Sequence, residues 1–179
     1  MNLTLPNWVK DFYPKGKLLD ATKLWYETFS KTDYQRRING GKLLRAMIDD
    51  MESVKFGNGT RKISLYSGHE TNVAAVAQTL GVYKFLNTLG IYVPPYSSGV
   101  IVEFYEAEKS DRKKKSKNFV KVYYYYGDPA DSVLVTIPQC KEECPYETFL
   151  KLLEKVIPTE IEMPCDKSGL DLVQTPLVE

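Results

Sequence analysis

The amino-acid sequence predicts an α/β fold, which combines several helices, a strand-turn-helix unit and a run of antiparallel strands. Apolar residues recur at helical spacing in the first eighty residues and again near residue 150. Three segments between residues 99 and 138 alternate strictly instead, as half-buried strands do. Around residue 69, a short apolar segment, a glycine and a new helical pattern predict a strand-turn-helix unit. The 179 residues suffice for one domain or for part of a larger one.

The first elements are a loop and two helices. Prolines and a glycine interrupt residues 5–16, which is typical of a loop with a short helical turn. Helical spacing then runs from Leu18 to about Arg37, and Gly40-Gly41 are expected to punctuate the chain. The second helix carries one apolar face, made of Leu43, Leu44, Met47, Ile48 and Met51.

The strand-turn-helix unit starts with "KISLYS" (62–67), in which apolar and polar residues alternate. The helix after it is predicted over 71–80. "VIVEFYEA", "FVKVYYYYG" and "SVLVTIP" then predict three antiparallel strands, because only short turns join them. A last helix is predicted over 145–156, with a proline at an early position, and the tail from residue 158 is expected to be irregular.

A basic run, Arg112 to Lys115, links the first two of these strands. It is either an anion-binding patch or a solvated hairpin tip whose charge discourages edge pairing. We favour the hairpin tip, because charge runs usually mark a solvated face.

Overall charge and hydropathy exclude several classes of protein. The 24 basic and 23 acidic residues nearly balance, so no basic field suggests a nucleic-acid partner. No run of about 18 apolar residues is present, and no membrane span is therefore predicted. The opening "NLTLPNW" lacks the charged and apolar regions of a signal peptide. Nothing in the sequence suggests a cofactor.

The three cysteines are compatible with more than one chemistry. Cys140 and Cys144 could close a small disulfide loop or stay reduced, while Cys165 is left over. A zinc site is disfavoured, because it needs four ligands and the chain has one distant histidine. Two glycosylation sequons, at Asn2 and Asn58, favour secretion. An odd cysteine in a secreted chain then calls for a partner elsewhere.

The single histidine, His69, is the main candidate functional residue. The predicted strand and helix place His69 and Glu70 where open α/β sheets bind ligands. Free backbone N–H groups at a helix N-terminus favour anions such as phosphate, and Gly68 would let a ligand approach the backbone. The alternative is a structural histidine, beside Thr71 or Asn72 as the N-cap of the helix.

Several segments resemble the histidine acid phosphatases of the prostatic, lysosomal and insect venom type. "LYSGHETNVAAVAQTLGVY" and "VPPYSSGVIVEFYE" are the most specific parts of the match. "NLTLPNW", "INGGKLLRAMIDDM" and "PQCKEECPYETFLKLLEKVIP" follow the family order as well. The resemblance covers nearly the whole chain. It implies that residues 1–179 are the C-terminal portion of one such domain. They would form part of a phosphoglycerate-mutase-like core, a mixed sheet with flanking helices and an antiparallel C-terminal edge.

The resemblance also implies residue roles. These enzymes hydrolyse phosphomonoesters through a phosphohistidine, and His69 matches their phosphate-binding histidine. Glu70 stands where most members have the aspartic acid that protonates the leaving alcohol, a general-acid task. The attacking histidine of the family lies in an Arg-His-Gly motif that this sequence lacks. We therefore expect negligible hydrolysis by the chain as given.

Further expectations follow from the same resemblance. Cys140 and Cys144 match a local disulfide of the family, and Cys165 matches a cysteine whose partner lies in the N-terminal half. A secreted or lysosomal location and a possible homodimer are implied too. The strand at 62–67 would lack its sheet neighbours, so we expect a marginally stable chain or one that leans on a partner copy. The competing hypotheses are a non-catalytic secreted binding or venom-type paralogue and an unrelated scaffold with a structural histidine.

Overall fold

A computed structural model describes residues 4–13, 16–57, 59–107 and 117–163 of the chain. The α-helices in these ranges are α1 (Lys17–Phe29), α2 (Asp33–Arg36), α3 (Lys42–Lys55), α4 (Glu70–Thr79), α5 (Tyr83–Thr88) and α6 (Tyr146–Leu153). The strands are β1 (Gly99–Glu106), β2 (Asn118–Tyr125), β3 (Ser132–Val135) and the two-residue β4 (Cys144–Pro145). Helices and sheet together confirm the predicted α/β class.

The described sheet is antiparallel throughout, in the order β1-β2-β3, with β4 pairing to the start of β2. The register places Val102 opposite Val122 and Glu103 opposite Lys121. Alternate side chains therefore point to opposite faces, as the alternating sequence predicted. The three predicted strands are confirmed at these positions.

One face of the sheet packs against α4 and α6 and forms the main core. Val120, Val122 and Tyr124 of β2 are almost completely buried there, as is Phe149 of α6. Burial of a side chain of this size contributes roughly 1.5–3 kcal/mol. The predicted helix over 145–156 is thus confirmed as α6, with Pro145 as its N-cap residue.

The helix predicted from Leu18 to Arg37 divides into two. Thr32 begins a new helix, because its hydroxyl accepts the Gln35 N–H at 3.1 Å while its own N–H donates to Gln35 Oε1 at 3.0 Å. This reciprocal capping box is a strong helix start. On α1, the apolar Leu24 and Trp25 remain 61% and 50% exposed, so helical spacing did not predict burial here.

The prediction that Gly40-Gly41 interrupts the helices is wrong. The backbone continues from α2 through a π-helical turn (Arg37–Gly41) into α3, and both glycines are buried. Each lacks a side chain where another segment comes close: a β-carbon on Gly40 would overlap the Ala75 carbonyl, and one on Gly41 the Val156 carbonyl. Close approach, rather than a chain break, explains the pair.

The predicted strand at 62–67 does not form. This segment has no regular secondary structure, and no described residue offers its backbone a ladder or any backbone–backbone hydrogen bond. Ile63 is 74% and Leu65 92% exposed. A strand needs a partner to satisfy its N–H and C=O groups, and the described sheet lies elsewhere. The alternating pattern therefore identifies a segment that is suited to a sheet, although no described strand pairs with it.

Two further features complete the fold. Helix α5 was missed by the sequence analysis, because its six residues are too short for a clear periodicity. Cys140 and Cys144 form a disulfide with their Cα atoms 5.5 Å apart. The predictions for Asn2, Asn58, Cys165 and the basic run Arg112 to Lys115 fall outside the described residues.

Candidate active site

His69 and Glu70 lie at the N-terminus of α4. His69 is the N-cap, with extended backbone angles (φ −103°, ψ 171°), and Glu70 is the first helical residue. Both residues are exposed. The imidazole is therefore accessible to a solute rather than enclosed in an apolar core.

The backbone of His69 is held from both sides by one residue. Its N–H donates to Asn72 Oδ1 at 2.9 Å, and its C=O accepts the N–H groups of Asn72 (3.0 Å) and Val73 (3.2 Å). The expectation that Thr71 or Asn72 is the N-cap is wrong, because the helix begins one residue earlier than predicted. Asn72 occupies the third helical position and caps backwards from there.

Helix α4 is a firm support for these two residues. Beyond its first turn it is buried from Ala74 to Thr79, and the Thr79 hydroxyl donates to the carbonyls of Ala75 (2.8 Å) and Arg36 (3.2 Å). The small side chains allow the π-helical turn at 37–41 to pack directly against it. The end that carries His69 thus projects from a rigidly packed element.

The first turn of α4 leaves donors free. Within the described part of the chain, the N–H groups of Glu70 and Thr71 have no hydrogen-bond partner. These donors and the positive end of the helix dipole favour a bound anion. A phosphate oxygen is one species that could accept from them.

Glu70 also lies within electrostatic reach of the buried Tyr26 of α1. Burial raises the pKa of the Tyr26 phenol, and the charge of Glu70 raises it further. Near the other end of α4, the side-chain amide of Gln78 donates to the Tyr26 carbonyl and joins α4 to α1. Tyr26 was counted by the sequence analysis only as part of a helix.

An open cavity of about 530 Å³ lies against residues 61–66, in the segment that leads to His69. Its polar wall is a cluster that sequence analysis did not find: the Tyr66 hydroxyl donates to Asp50 Oδ2 at 2.7 Å, and Arg61 Nη1 lies 3.4 Å from Asp50 Oδ1. His69 is not among its lining residues. Only folding brings position 50 beside positions 61–66.

Proton equilibria in this cluster are shifted. Hydrogen bonds from Ser64 and Tyr66, with the Arg61 charge, lower the pKa of Asp50. Burial and the Asp50 carboxylate raise the pKa of Tyr66 to about 12. Tyr66 therefore stays a hydrogen-bond donor at any physiological pH.

The described residues show neither a metal site nor a membrane-spanning helix. They contain no group of three or more His, Cys, Asp or Glu side chains arranged to hold a metal ion. None of their helices combines the length and the apolar character needed to cross a bilayer.

Comparison with known proteins gives a consistent match. The model of the histidine phosphatase superfamily (branch 2) matches residues 6–125. The chain is 37% identical over 171 residues to a venom acid phosphatase of Apis mellifera, covering 94% of this chain and 41% of that protein. It is 31% identical over 166 residues to prostatic acid phosphatase of Rattus norvegicus, covering 92% of this chain and 40% of that protein.

A lysosomal acid phosphatase of Rattus norvegicus is 26% identical over 166 residues, which cover 91% of this chain and 36% of that protein. The chain thus spans about two fifths of the length of the curated relatives that it matches.

Proposed function

We propose that the chain, which belongs to the histidine phosphatase superfamily (branch 2), is the C-terminal portion of an acid phosphatase. The complete enzyme would hydrolyse phosphate monoesters. The observation that carries the proposal is the exposed pair His69 and Glu70 at the capped N-terminus of α4, in a chain related to acid phosphatases.

In this proposal His69 and Glu70 act on the two sides of the phosphate ester bond. His69 and the free N–H groups of Glu70 and Thr71 bind the phosphoryl oxygens, where fixed donors stabilise the charge that develops. Glu70 donates its proton to the departing alcohol oxygen as a general acid. An acidic medium favours the protonated carboxyl group that this step requires.

The covalent step needs a second histidine. Its imidazole nitrogen forms the P–N bond while the P–O bond to the alcohol breaks, and water later releases inorganic phosphate from the phosphohistidine. The chain contains one histidine and no Arg-His-Gly tripeptide. We therefore assign the attacking histidine to a segment outside these 179 residues and expect negligible turnover by the chain alone.

The unpaired segment 62–67 supports the proposal that the chain is part of a longer domain. An alternating apolar sequence with its backbone unpaired and Leu65 92% exposed is suited to a sheet interior. The relatives are more than twice as long as the matched region, so they have residues available to cover such a surface. We propose that a strand of the remaining domain pairs with residues 62–67.

We also propose a secreted or lysosomal location. The disulfide between Cys140 and Cys144 is a feature of oxidising compartments, and the relatives include venom, prostatic and lysosomal phosphatases. Glycosylation at Asn2 and Asn58 and a partner for Cys165 in the remaining domain belong to the same proposal. A homodimer is a further element of it.

The deciding observation is the coding sequence upstream of Met1. An in-frame segment with an Arg-His-Gly motif supports the proposal, and the joined protein should then hydrolyse p-nitrophenyl phosphate at acid pH. His69→Ala and Glu70→Gln in that joined protein should each lower kcat by at least about a hundredfold, the usual contribution of a positioned donor. Wild-type kcat in both variants would refute the roles assigned here.

The purified 179-residue chain supplies the complementary test. A burst of phosphoenzyme from this chain would show that its own residues include the nucleophile and would overturn the assignment. Binding of a phosphorylated ligand without turnover, together with a clean upstream stop codon, would instead favour the non-catalytic paralogue. The observation that favours this second candidate is the single histidine of the chain.

A further inference from the structure

The geometry points to Asn72 as a positioning residue that sets the direction of the His69 imidazole. The inference rests on the function proposed above, since it concerns how the phosphate-binding histidine is held. Asn72 makes contact with both backbone groups of His69: its Oδ1 accepts the His69 N–H at 2.9 Å, and its own N–H donates to the His69 carbonyl at 3.0 Å.

The first of these bonds matters because the described chain just before His69 is held through side chains, as by Tyr66 and Asp50, and not through its backbone. From residue 62 to residue 68, the described structure provides no backbone–backbone hydrogen bond. The bond from the His69 N–H to Asn72 thus anchors the backbone where segment 62–68 meets α4. It restrains φ of His69, and φ with ψ fixes where the Cα–Cβ bond points.

Gly68 accommodates the Asn72 side chain. A β-carbon on Gly68 would lie 3.0 Å from Asn72 Oδ1, 3.2 Å from its Cβ and 3.3 Å from its Cγ. Any side chain at position 68 would therefore displace the carboxamide by a few tenths of an ångström. Gly68 and Asn72 form a matched pair around the backbone of His69, and this gives the glycine a role besides ligand approach.

Loss of the Asn72 side chain should release His69 without unfolding the protein. Helix α4 is held independently by its buried residues and by the hydrogen bonds of Thr79. Asn72 itself is exposed, so its truncation leaves no cavity. Thr71, its neighbour in the first turn, makes no hydrogen bond to His69 and is the matched control.

The test uses the full 179-residue chain with ¹³C,¹⁵N-histidine as the only label, since His69 is the only histidine. In Asn72→Ala, we expect amide exchange of His69 to accelerate about three- to tenfold, the range for loss of one hydrogen bond, and the His69 Cα and Cβ shifts to move. Asn72→Asp keeps an acceptor of the same size and should restore both. Thr71→Ala should leave both unchanged.

A second readout separates positioning from local stability. Inorganic phosphate, added at an ionic strength matched with sodium chloride, should shift the His69 imidazole resonances of the wild type. The apparent Kd for phosphate should rise several-fold in Asn72→Ala. It should also rise in Asn72→Asp, because the added negative charge repels the anion even where the backbone is restored.

The outcomes distinguish the two proposals. Wild-type amide exchange and Cα shifts in Asn72→Ala, with an unchanged unfolding transition, would overturn the positioning role. Gly68→Ala, which displaces the carboxamide from the other side, repeats the test independently. No phosphate response by wild-type His69 would count against the proposed function, and the exchange data would still decide whether Asn72 holds His69.

Discussion

Gly40 packs its backbone directly against the Ala75 carbonyl, so that a β-carbon at position 40 would overlap that oxygen. The contact joins the π-helical turn before α3 to the middle of α4, the helix that carries His69. Position 40 is therefore part of the support of the candidate site although it lies far from it in sequence.

Gly40→Ala should lower the free energy of unfolding by about 1–3 kcal/mol, the usual effect of overpacking in a close-packed interior. The intrinsic helix preference of alanine, about 1 kcal/mol, acts in the opposite direction. Gly99→Ala is the control, because a β-carbon at Gly99 meets open space. Urea titration followed by circular dichroism measures both, and equal midpoints would contradict the assigned packing.

The burial of Tyr66 and its hydrogen bond to Asp50 make the stability of the fold depend on pH in the alkaline range. The folded pKa of Tyr66 is raised to about 12 from a usual 10.0. Its stabilising contribution is therefore complete below pH 10 and is lost as the pH rises towards 12. Asp50→Asn should lower the Tyr66 pKa only part of the way, because burial is the larger cause of the shift.

The measurement for this pair is a ¹³C NMR titration of the tyrosine Cζ and aspartate Cγ resonances. Tyr66→Phe in the same experiment identifies the resonance and should also raise the pKa of Asp50, since it removes one of the hydrogen bonds that lower it. That carboxyl stabilises the fold above its unfolded pKa and loses this contribution as the pH falls through its folded pKa. An unchanged Asp50 titration in Tyr66→Phe would be inconsistent with the bond.

Substitution by alanine should destabilise the protein strongly at Leu44 and very little at Leu65. Leu44 is fully buried and Leu65 is 92% exposed. Leu44→Ala should cost about 2–5 kcal/mol, and Leu65→Ala less than about 0.5 kcal/mol. In a longer protein in which a strand covers residues 62–67, Leu65→Ala should become destabilising as well. Chemical denaturation of both proteins tests this, and a neutral Leu65→Ala in the longer one would argue against a covered segment.

The Cys140–Cys144 disulfide should add only about 2 kcal/mol to the free energy of unfolding. Closing so short a loop removes little entropy from the unfolded chain. The double variant Cys140→Ala/Cys144→Ala should unfold at a lower temperature than the wild type. Reductant should lower the unfolding temperature of the wild type to about that of the variant, and it should leave the unfolding temperature of the variant unchanged. Thermal unfolding with and without reductant measures this, and a reductant effect on the variant would point to another disulfide.

Local sequence signals predicted the elements that depend on neighbouring residues. Strict alternation located the three strands β1–β3, and helical spacing located α3, α4 and α6. The Thr32-Gln35 capping box is likewise a local signal, and it divides the helix predicted over 18–37. Helix N-termini are local because their caps lie within four residues.

By itself, the sequence determined the class of fold, the family resemblance and the place of His69 and Glu70 at the start of a helix. Tertiary structure decided the rest: that Gly40-Gly41 serve close packing, that residues 62–67 stay unpaired, and that Asp50 meets Tyr66. The physical reason is that pairing and close approach depend on residues distant in the chain. The alternation in residues 62–67 indicates only that the segment is suited to a sheet. A strand forms only where another backbone pairs with its N–H and C=O groups.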